Sequence, residues 1–331
     1  RNRELLIEVA APTGKAKSRL LEALIDELPH LHVDDAIKEL LQNLRPRTVD
    51  SLLKLSGEGS KPYYNAGHPL AADLVIVDES SMVSLPRMAQ LVSALKPGAR
   101  LLLLGDKDQL SSIEIGSVFA DICRGRGAQP YLSRLTVNRR SDKNPLLVTT
   151  AREMAGLTGT DDAAALADEM YQRHSPLFAV KPLPRRDGLK AELRHLLQTW
   201  GLLDRWRNVA SAEQAFELAL AFKILPAVRD GAYGVGHLNL LTAEILDLPD
   251  GGDGTPLMIL ENSPAVGLSN GDLGVLWQGG AYFPVSGELK RFEPSLLPRH
   301  ELAFAMTIHK SQGSGFEQVL MVLPGEVNPV I

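Results

Sequence analysis

Residues 74–79 read Leu-Val-Ile-Val-Asp-Glu, and residues 101–109 read Leu-Leu-Leu-Leu-Gly-Asp-Lys-Asp-Gln. A short apolar run bounded by turn residues is typical of a buried parallel strand. Residues 84–97, between the two runs, carry a helical pattern, so the segment predicts a β-α-β unit. Ligands of open α/β sheets bind beyond the carboxyl ends of the strands. We therefore expect the polar residues after the two runs to share a site.

These polar residues suit nucleotide hydrolysis, in which the protein mainly positions the reactants and offsets phosphate charge. We predict that Asp78 holds magnesium and that Glu79 orients or deprotonates the attacking water. Gln109 would sense the γ-phosphate or that water, because an amide both donates and accepts hydrogen bonds. A single Asp-Glu pair is also common in an ordinary strand-end turn. The prediction therefore depends on both polar clusters occurring in order.

Composition limits the class of protein. The 331 residues, 44% of them hydrophobic, are enough for about two domains with cores. A net charge of -5 excludes a uniformly basic nucleic-acid-binding protein, but it leaves a local basic groove open. The single cysteine, Cys123, excludes an intrachain disulfide framework and a cysteine-rich metal site. With no run near the roughly 18 apolar residues of a membrane helix and no signal-peptide pattern, we predict a cytoplasmic protein.

A polar turn, Pro-Thr-Gly-Lys at residues 12–15, follows the first apolar run and precedes a helical pattern over residues 16–28. A nucleotide-binding P-loop needs glycine five positions before the glycine of this turn and a hydroxyl after its lysine. Val9 and Ala16 occupy those positions, so we reject a P-loop here. The turn instead predicts a contact with another phosphate, such as a nucleic-acid backbone. An ordinary polar loop between strand and helix is the alternative.

The second half of the chain predicts further α/β structure with a β-rich insertion. A helix is expected over residues 211–225, with a capping box at its start and Pro226 at its end. Residues 255–298 read as short strands joined by turns, which indicates a small β-barrel. Arg140, in Asn-Arg-Arg at residues 138–140, is our candidate arginine finger. Paired arginines are more usually part of a solvated surface.

The motifs, taken in order, resemble those of superfamily 1 helicases of the 5′-to-3′ branch, and are most similar to the alpha subunits of exodeoxyribonuclease V. They occupy residues 10–16, 77–82, 104–110, 138–140 and 307–314. The resemblance implies an α/β fold of tandem RecA-like (P-loop NTPase) domains with parallel sheets and an SH3-like β-barrel insertion. The implied boundaries are 1–135 for the first motor domain, 136–254 with 299–331 for the second, and 255–298 for the insertion. Within the insertion, the Asn-Gly pair at 270–271 is expected to form a tight turn.

The resemblance also implies roles for individual residues. The implied catalytic residues are Asp78, Glu79, Gln109 and Arg140. The residues implied to bind ATP with Mg²⁺ are Asp78, Gln109, Arg140, Lys310, Gln312 and Gly313, with Asp78 on the metal. The residues implied to contact DNA are Pro12, Thr13, Lys15, Thr48, Thr307 and His309. His309 taken alone would more often be a structural histidine.

By the same resemblance, the function is ATP-driven 5′-to-3′ translocation on single-stranded DNA and unwinding at duplex ends. The implied partners are the beta and gamma subunits of exodeoxyribonuclease V, and the implied process is double-strand break repair and recombination. The alternatives are a stand-alone helicase of this branch, the helicase part of a relaxase, and a DNA-binding or assembly module without catalysis. No second cluster of Asp, Glu and Lys predicts a two-metal nuclease site, so we expect another subunit to cut DNA.

The chain departs from the family pattern at several places. The phosphate-binding loop, expected before Arg1, and the last arginine-bearing helix, expected after Ile331, are not in the sequence. We therefore expect a fragment with compromised nucleotide binding. Asp50 stands where the family commonly has histidine, and Gly315 stands where it often has glutamate. The join at residues 136–137 is shorter than the family pattern predicts, which indicates missing residues there.

Overall fold

The computed structural model describes residues 5–55, 61–107, 109, 118–135, 149, 184–248, 251–263, 265–285, 287–312 and 314–323. Arg140, Gly313 and the join at 136–137 lie outside the described residues. The chain divides into two compact units, of which the first comprises Arg1–Phe119 with Pro184–Ile331 and the second Ala120–Leu183. None of the described helices combines the length and the apolar composition that crossing a membrane requires. The predicted boundaries of the two motor domains stay predictions.

A four-stranded parallel sheet forms the first part of the chain. Its strands, in the spatial order β2-β1-β3-β4, are β1 Ile7–Ala11, β2 Arg47–Thr48, β3 Leu74–Val77 and β4 Arg100–Leu103. The prediction of neighbouring parallel strands at 74–79 and 101–109 is therefore confirmed. Val75 and Val77 of β3 are fully buried, whereas Leu102 of β4 is 45% exposed. Full burial was wrong for β4, because this strand lies at the edge of the sheet and one of its faces is uncovered in the described part of the chain.

Helices connect the strands of this sheet and cover its core. They are α1 Gly14–Glu27, α2 Asp35–Asn43, α3 Val49–Leu52 and α4 Leu85–Ser93, with 3-10 helices at Leu28–His30 and Ser80–Met82. Later along the chain come α5 Val118–Arg124 and a 3-10 helix at Arg126–Tyr131. The helix predicted over 16–28 is confirmed, since α1 gives way to a 3-10 turn that contains Pro29. Leu52 and Leu53 pack with Val75 and Leu91 in one buried cluster. Cys123 is buried, as a small core residue would be.

The second half of the chain contains a parallel pair of strands, β5 Phe222–Pro226 and β11 Gln318–Val322. Its helices are α6 Leu189–Thr199, α7 Leu202–Arg207, α8 Ala212–Ala221, α9 Val235–Ile245 and α10 Ile308–Ser311. The capping residue is confirmed, because Ser211 Oγ accepts the Gln214 N–H at 3.3 Å. The helix predicted to continue to residue 225 was wrong, since the chain becomes a strand at Phe222. Every residue of β5 is buried, and β5 pairs with a strand almost a hundred residues later, which local periodicity does not reveal.

Residues 256–302 form a five-stranded antiparallel sheet. Its strands are β6 Pro256–Ile259, β7 Leu273–Trp277, β8 Gly280–Val285, β9 Glu288–Phe292 and β10 His300–Leu302, in the order β10-β6-β7-β8-β9, with a 3-10 helix at Pro294–Leu296. The predicted strands and turns are confirmed, and the two-residue β7–β8 turn has positive φ at Gln278 and Gly279, as a primed hairpin turn requires. A closed barrel is not confirmed, because no described pairing joins the end strands β9 and β10.

Asn239 of α9 holds the segment that leads into α10. Its side-chain amide donates to the Ala305 carbonyl at 3.0 Å and accepts the Ala305 N–H at 2.8 Å. The neighbouring Phe304 carbonyl and Met306 N–H bond to Ile224 of β5. Since Asn239 is 4% exposed, these are buried hydrogen bonds that fix the backbone just before Thr307.

Candidate nucleic-acid interface and nucleotide site

A cleft of about 390 Å³ lies on the first unit and is built from five separate stretches of the chain. It is lined by Pro12, Thr13, Lys15, Val49, Asp50, Met82, Val83, Ser84, Arg87, Asn270, Gly271, His309, Lys310 and Gln312. Four predicted DNA contacts, Pro12, Thr13, Lys15 and His309, therefore lie together. Thr48 and Thr307 do not line the cleft, although each precedes a short helix whose residues do. Lys310 and Gln312, predicted at the nucleotide, lie on this same cleft.

The three threonines predicted to contact DNA share one local structure, since each begins a helix and caps it. Their Oγ1 atoms accept backbone N–H groups, Thr13 from Ala16 at 3.1 Å, Thr48 from Ser51 at 3.1 Å and Thr307 from Lys310 at 3.3 Å. A hydroxyl that accepts such a bond still carries its own proton to donate. Each threonine can therefore cap its helix and donate to a phosphate oxygen at the same time.

Lys15 is a partly desolvated cation on the wall of the cleft. Its Nζ donates to the Ser314 hydroxyl. Burial is the main cause that lowers the pKa of Lys15 to about 8, the charge of Arg19 lowers it further, and Asp272 opposes both. Burial also raises the pKa of Asp272 above its ordinary value. A phosphate in the cleft would place a negative charge close to Lys15 and so favour the charged form of its side chain.

The start of α1 touches a loop of the antiparallel sheet at Gly14. A Cβ atom on Gly14 would lie 2.6 Å from Ser269 Cβ, which is closer than side chains pack. The loop itself is a tight turn, as predicted, since the Asp272 N–H donates to the Ser269 carbonyl at 3.0 Å and Gly271 has φ +92°. Glycine at position 14 is therefore what lets this loop approach the first turn of α1 and the adjoining Lys15.

Replacing Gly14 by alanine is expected to lower the free energy of unfolding by about 1 to 3 kcal/mol, because the added methyl group forces α1 and the Ser269 loop apart. Urea unfolding at neutral pH measures the change. Gly236, also in the first turn of a helix, has open space at its Cβ and is the matched control. Gly236→Ala is expected to stabilise the protein by about 0.5 to 1 kcal/mol. Stabilisation by both substitutions would contradict the tight contact at Gly14.

The end of β3 carries the carboxylate predicted to hold magnesium. The Asp78 N–H donates to the Ala10 carbonyl at 2.9 Å, which fixes this residue beside β1. Asp78 Oδ1 accepts the Glu79 N–H at 2.9 Å, and Oδ2 makes no hydrogen bond to the described residues. Proteins bind Mg²⁺ through one or two carboxylates, while water and substrate phosphates complete the shell. A half-buried aspartate with one oxygen to spare fits that requirement.

Glu79 has a left-handed backbone, with φ 50°. A side-chain-bearing residue in this region costs about 1 kcal/mol or more and needs support from its surroundings. Ser80 supplies it, since its N–H donates to the Leu104 carbonyl and its hydroxyl to the Val77 carbonyl, both at 2.8 Å. A Cβ on Gly105 would lie 3.2 Å from the Ser80 nitrogen, so the turn after β3 packs closely on the end of β4. Strain of this kind is frequent at functional sites.

Gln109 lies in a turn after β4, where its N–H donates to the Asp106 carbonyl at 3.3 Å and its side chain is exposed. Asp78, Glu79 and Gln109 are not among the residues that line the cleft. The structure thus places the predicted hydrolytic residues at the strand ends and groups the predicted DNA contacts in the cleft. Lys310 and Gln312, which lie with the DNA contacts, are the two described residues whose placement differs from their predicted nucleotide role.

Sequence reasoning missed several residues of the cleft, above all Arg87 in the first turn of α4. Lys15, Arg87 and Lys310 supply cations, and Asp50 is the one carboxylate among the described lining residues. No motif marked Arg87, because its approach to Asp50 depends on the packing of α4 beside α3. His309 Nε2 is buried and has no hydrogen-bond partner among the described residues. The lining is therefore cationic, with an unpaired polar atom that a ligand can satisfy.

Comparisons with known proteins agree with this arrangement of motifs. A family profile described as an AAA domain matches residues 1–175. The RecBCD enzyme subunit RecD of Haemophilus influenzae is 33% identical over 381 residues, which cover 99% of this chain and 59% of that protein. The subunit of the same name from Mycobacterium tuberculosis is 34% identical over 337 residues, covering 97% of this chain and 56% of that protein. The predicted resemblance to the alpha subunit of exodeoxyribonuclease V, RecD, is confirmed.

Two further matches have lower sequence identity. The ATP-dependent RecD2 DNA helicase of Deinococcus radiodurans is 28% identical over 332 residues, covering 96% of this chain and 39% of that protein. A chain from a solved structure of two coordinating Pif1 helicases at forked double-stranded DNA aligns with a TM-score of 0.40 and 15% identity, covering 97% of this chain and 76% of that chain. The chain spans less than two thirds of the length of the RecD subunits that it matches.

Proposed function

Because this chain belongs to the AAA domain family, we propose that it is the motor core of an ATP-dependent DNA helicase of the RecD type, moving 5′ to 3′ on single-stranded DNA. The observation that carries the proposal is the cleft, which brings Thr13 and Lys15 together with His309 although almost 300 residues separate them in sequence. The RecD relatives, 33 and 34% identical over nearly the whole chain, support the same function.

In this proposal the cleft holds the DNA backbone. The Lys15 ammonium and the Thr13 hydroxyl bind phosphates from one wall, and His309 binds from the other, with Thr307 just before it at the start of α10. Contacts of this kind position a strand without reading its sequence, which suits an enzyme that must pass every base. Because the two walls belong to the two proposed motor domains, 1–135 and 136–254 with 299–331, a change in the spacing of those domains would move the strand.

ATP hydrolysis is proposed at the ends of β3 and β4. Magnesium, held by Asp78, would offset charge on the transferring phosphates. Glu79 orients the attacking water and accepts its proton, and Gln109 contacts the γ-phosphate. Arg140 completes the proposed site as the arginine finger, and the residues at the nucleotide are Lys310, Gln312 and Gly313. Lys310 makes an ion pair with Glu301 at 3.2 Å, and a nucleotide would have to displace Glu301 from it.

The proposed assembly is exodeoxyribonuclease V, in which this protein is the alpha subunit beside beta and gamma partners and acts in double-strand break repair. The RecD names of its relatives support that assembly. A stand-alone helicase is the second candidate, because the RecD2 helicase matches 96% of this chain. Affinity purification from the native cell distinguishes the two, since only the first predicts stoichiometric recovery of beta and gamma subunits. A cytoplasmic location stays a prediction.

The test is ATP hydrolysis by the full-length protein with and without single-stranded DNA, together with unwinding of duplexes that carry a 5′ or a 3′ tail. We expect DNA to stimulate hydrolysis and only the 5′-tailed duplex to be unwound. Binding of DNA without hydrolysis would favour the non-catalytic module, and unwinding from a 3′ tail would overturn the direction. Absence of both binding and hydrolysis would overturn the proposed function itself.

Replacing Lys15 by glutamine is expected to weaken binding of single-stranded DNA by about 5- to 10-fold, because one charge-assisted phosphate contact is lost. The slope of log K against log salt should fall by about 0.7, the contribution of one phosphate contact on a single strand. Fluorescence anisotropy with an oligothymidylate across a salt series measures both changes. Lys190→Gln is the control, since this lysine pairs with Glu244 away from the cleft. Equal effects of the two substitutions would contradict a specific contact at Lys15.

A further inference from the structure

Arg87 lies on the wall of the cleft, and only some of the N–H donors of its guanidinium make hydrogen bonds to the described residues. Its Nε lies 2.8 Å from Asp50 Oδ1, and its Nη1 donates to Gln90 Oε1 at 2.7 Å. The guanidinium carries five N–H donors in a planar fork, and Nη2 makes no hydrogen bond to the described residues. The side chain is 27% exposed, so the remaining donors are within reach of a ligand in the cleft.

The polar surroundings of Arg87 suit an anion. Ser84, immediately before α4, lines the cleft and is 7% exposed, yet its side chain makes no capping bond. In the first turn of the nine-residue helix α4, Pro86 carries no N–H, and the N–H groups of Leu85 and Arg87 have no acceptor inside the helix. They carry partial positive charge toward the cleft. A buried serine and a guanidinium therefore line the same cleft beside the start of α4.

Asp50 places a negative charge in a cleft that is proposed to bind a polyanion. Its ion pair with Arg87 explains why a carboxylate lies there. A carboxylate and a phosphate offer similar oxygen geometry to the arginine fork. Asp50 is 57% exposed, and so exposed an ion pair contributes little to stability. Asp50 therefore holds Arg87 in the orientation that a phosphate needs, through an interaction that is easily exchanged.

We propose that Arg87 is a further backbone-phosphate contact for single-stranded DNA, and that Asp50 is its exchangeable ligand in the DNA-free protein. On binding, a phosphate takes the place of the Asp50 carboxylate on the guanidinium, and Ser84 donates to the same phosphate. The ligand is a nucleic-acid phosphodiester. This inference rests on the proposed function, because it assigns a new contact within the same cleft.

A double-mutant cycle tests the exchange, using Arg87→Gln, Asp50→Asn and the double variant in the full-length protein. Anisotropy with an oligothymidylate across a salt series measures affinity and its salt slope. Arg87→Gln is expected to weaken binding about 5- to 10-fold and to reduce the slope by about 0.7. Asp50→Asn is expected to tighten binding about 3-fold, because a competing ligand is removed. The double variant should behave like Arg87→Gln, since Asp50 acts only through Arg87.

Other outcomes overturn the proposal. If Asp50→Asn tightens binding equally in the Arg87→Gln background, Asp50 simply repels DNA and no exchange takes place. If Arg87→Gln leaves affinity unchanged, or if both single variants weaken binding in proportion to a loss of stability in urea unfolding, the pair is structural. Arg207→Gln and Asp204→Asn, from an ion pair of 3.8 Å outside the cleft, are the matched controls and should leave binding unchanged. If the unmodified protein binds no single-stranded DNA, the proposed function fails, and this contact fails with it.

Discussion

Replacing Glu79 by glutamine is expected to lower the DNA-stimulated rate of ATP hydrolysis by about 10²- to 10⁴-fold, the usual contribution of a general base. Glutamine keeps the size of the side chain and the backbone N–H that donates to Asp78, so the turn after β3 is retained. What is lost is the carboxylate that accepts the proton of the attacking water. The left-handed backbone at Glu79, held by Ser80, is the structural reason for expecting a specialised role at this residue.

Steady-state hydrolysis at saturating single-stranded DNA measures this effect in the full-length protein. The loss should fall on kcat with KM for ATP little changed, because Glu79 is proposed to act on water rather than on nucleotide binding. DNA affinity should also be unchanged, since Glu79 does not line the cleft. Glu39→Gln, on the exposed side of α2, is the control and should retain full turnover. Normal turnover by the Glu79→Gln protein would refute the catalytic assignment.

Replacing Lys223 by methionine is expected to abolish a large part of the pH dependence of stability. Lys223 is the second residue of β5 and has no exposed surface, and its Nζ donates to the Ala303 carbonyl at 2.5 Å. The Phe316 ring lies 5.8 Å from the same nitrogen. Burial, with a smaller effect from the charge of Lys15, lowers the pKa of Lys223 to about 7. Methionine has a similar length and carries no charge, so it removes the titration while filling the same space.

The folded protein holds the Lys223 proton less tightly than the unfolded chain, in which a lysine has a pKa of about 10.4. Below pH 7 both states are protonated, and the cost of burying the charge is fully present. Between pH 7 and 10 the folded state has released a proton that the unfolded state keeps, so stability rises with pH. At 1.36 kcal/mol per pH unit, the rise from pH 6.5 to pH 9.5 is on the order of 3 kcal/mol for this residue.

Urea unfolding of the unmodified and Lys223→Met proteins at pH 6.5, 8.0 and 9.5 measures this difference. Lys15, whose pKa burial also lowers, titrates in both proteins, so subtracting the two curves isolates Lys223. We expect the methionine variant to gain most relative to the unmodified protein at pH 6.5 and least at pH 9.5. Lys61→Met, at an exposed position, should show no such trend. A difference between the two proteins that does not change with pH would show that Lys223 titrates normally.

Features that depend on neighbouring residues could be predicted from the amino-acid order. The apolar run at 74–77 marked β3, the capping residue Ser211 marked the start of α8, and the strands joined by turns over residues 255–298 included the β7–β8 hairpin. In each case the physical cause is local, whether an unsatisfied N–H group at a helix start or the backbone twist of a hairpin. The order of the motifs was likewise enough to reveal the resemblance that the RecD relatives confirm.

The tertiary structure decided which residues are buried and which distant side chains meet. Phe222 to Pro226 continue a helical pattern in the chain, but they form a strand because β11 supplies hydrogen-bond partners and a buried environment. Lys223 is desolvated, and Arg87 meets Asp50, only because segments far apart in sequence pack together. Such contacts depend on how deeply a side chain is buried and on which distant segment it meets. The periodicity of a short run of residues determines neither of these, so the cleft and its charges could be recognised only in the folded structure.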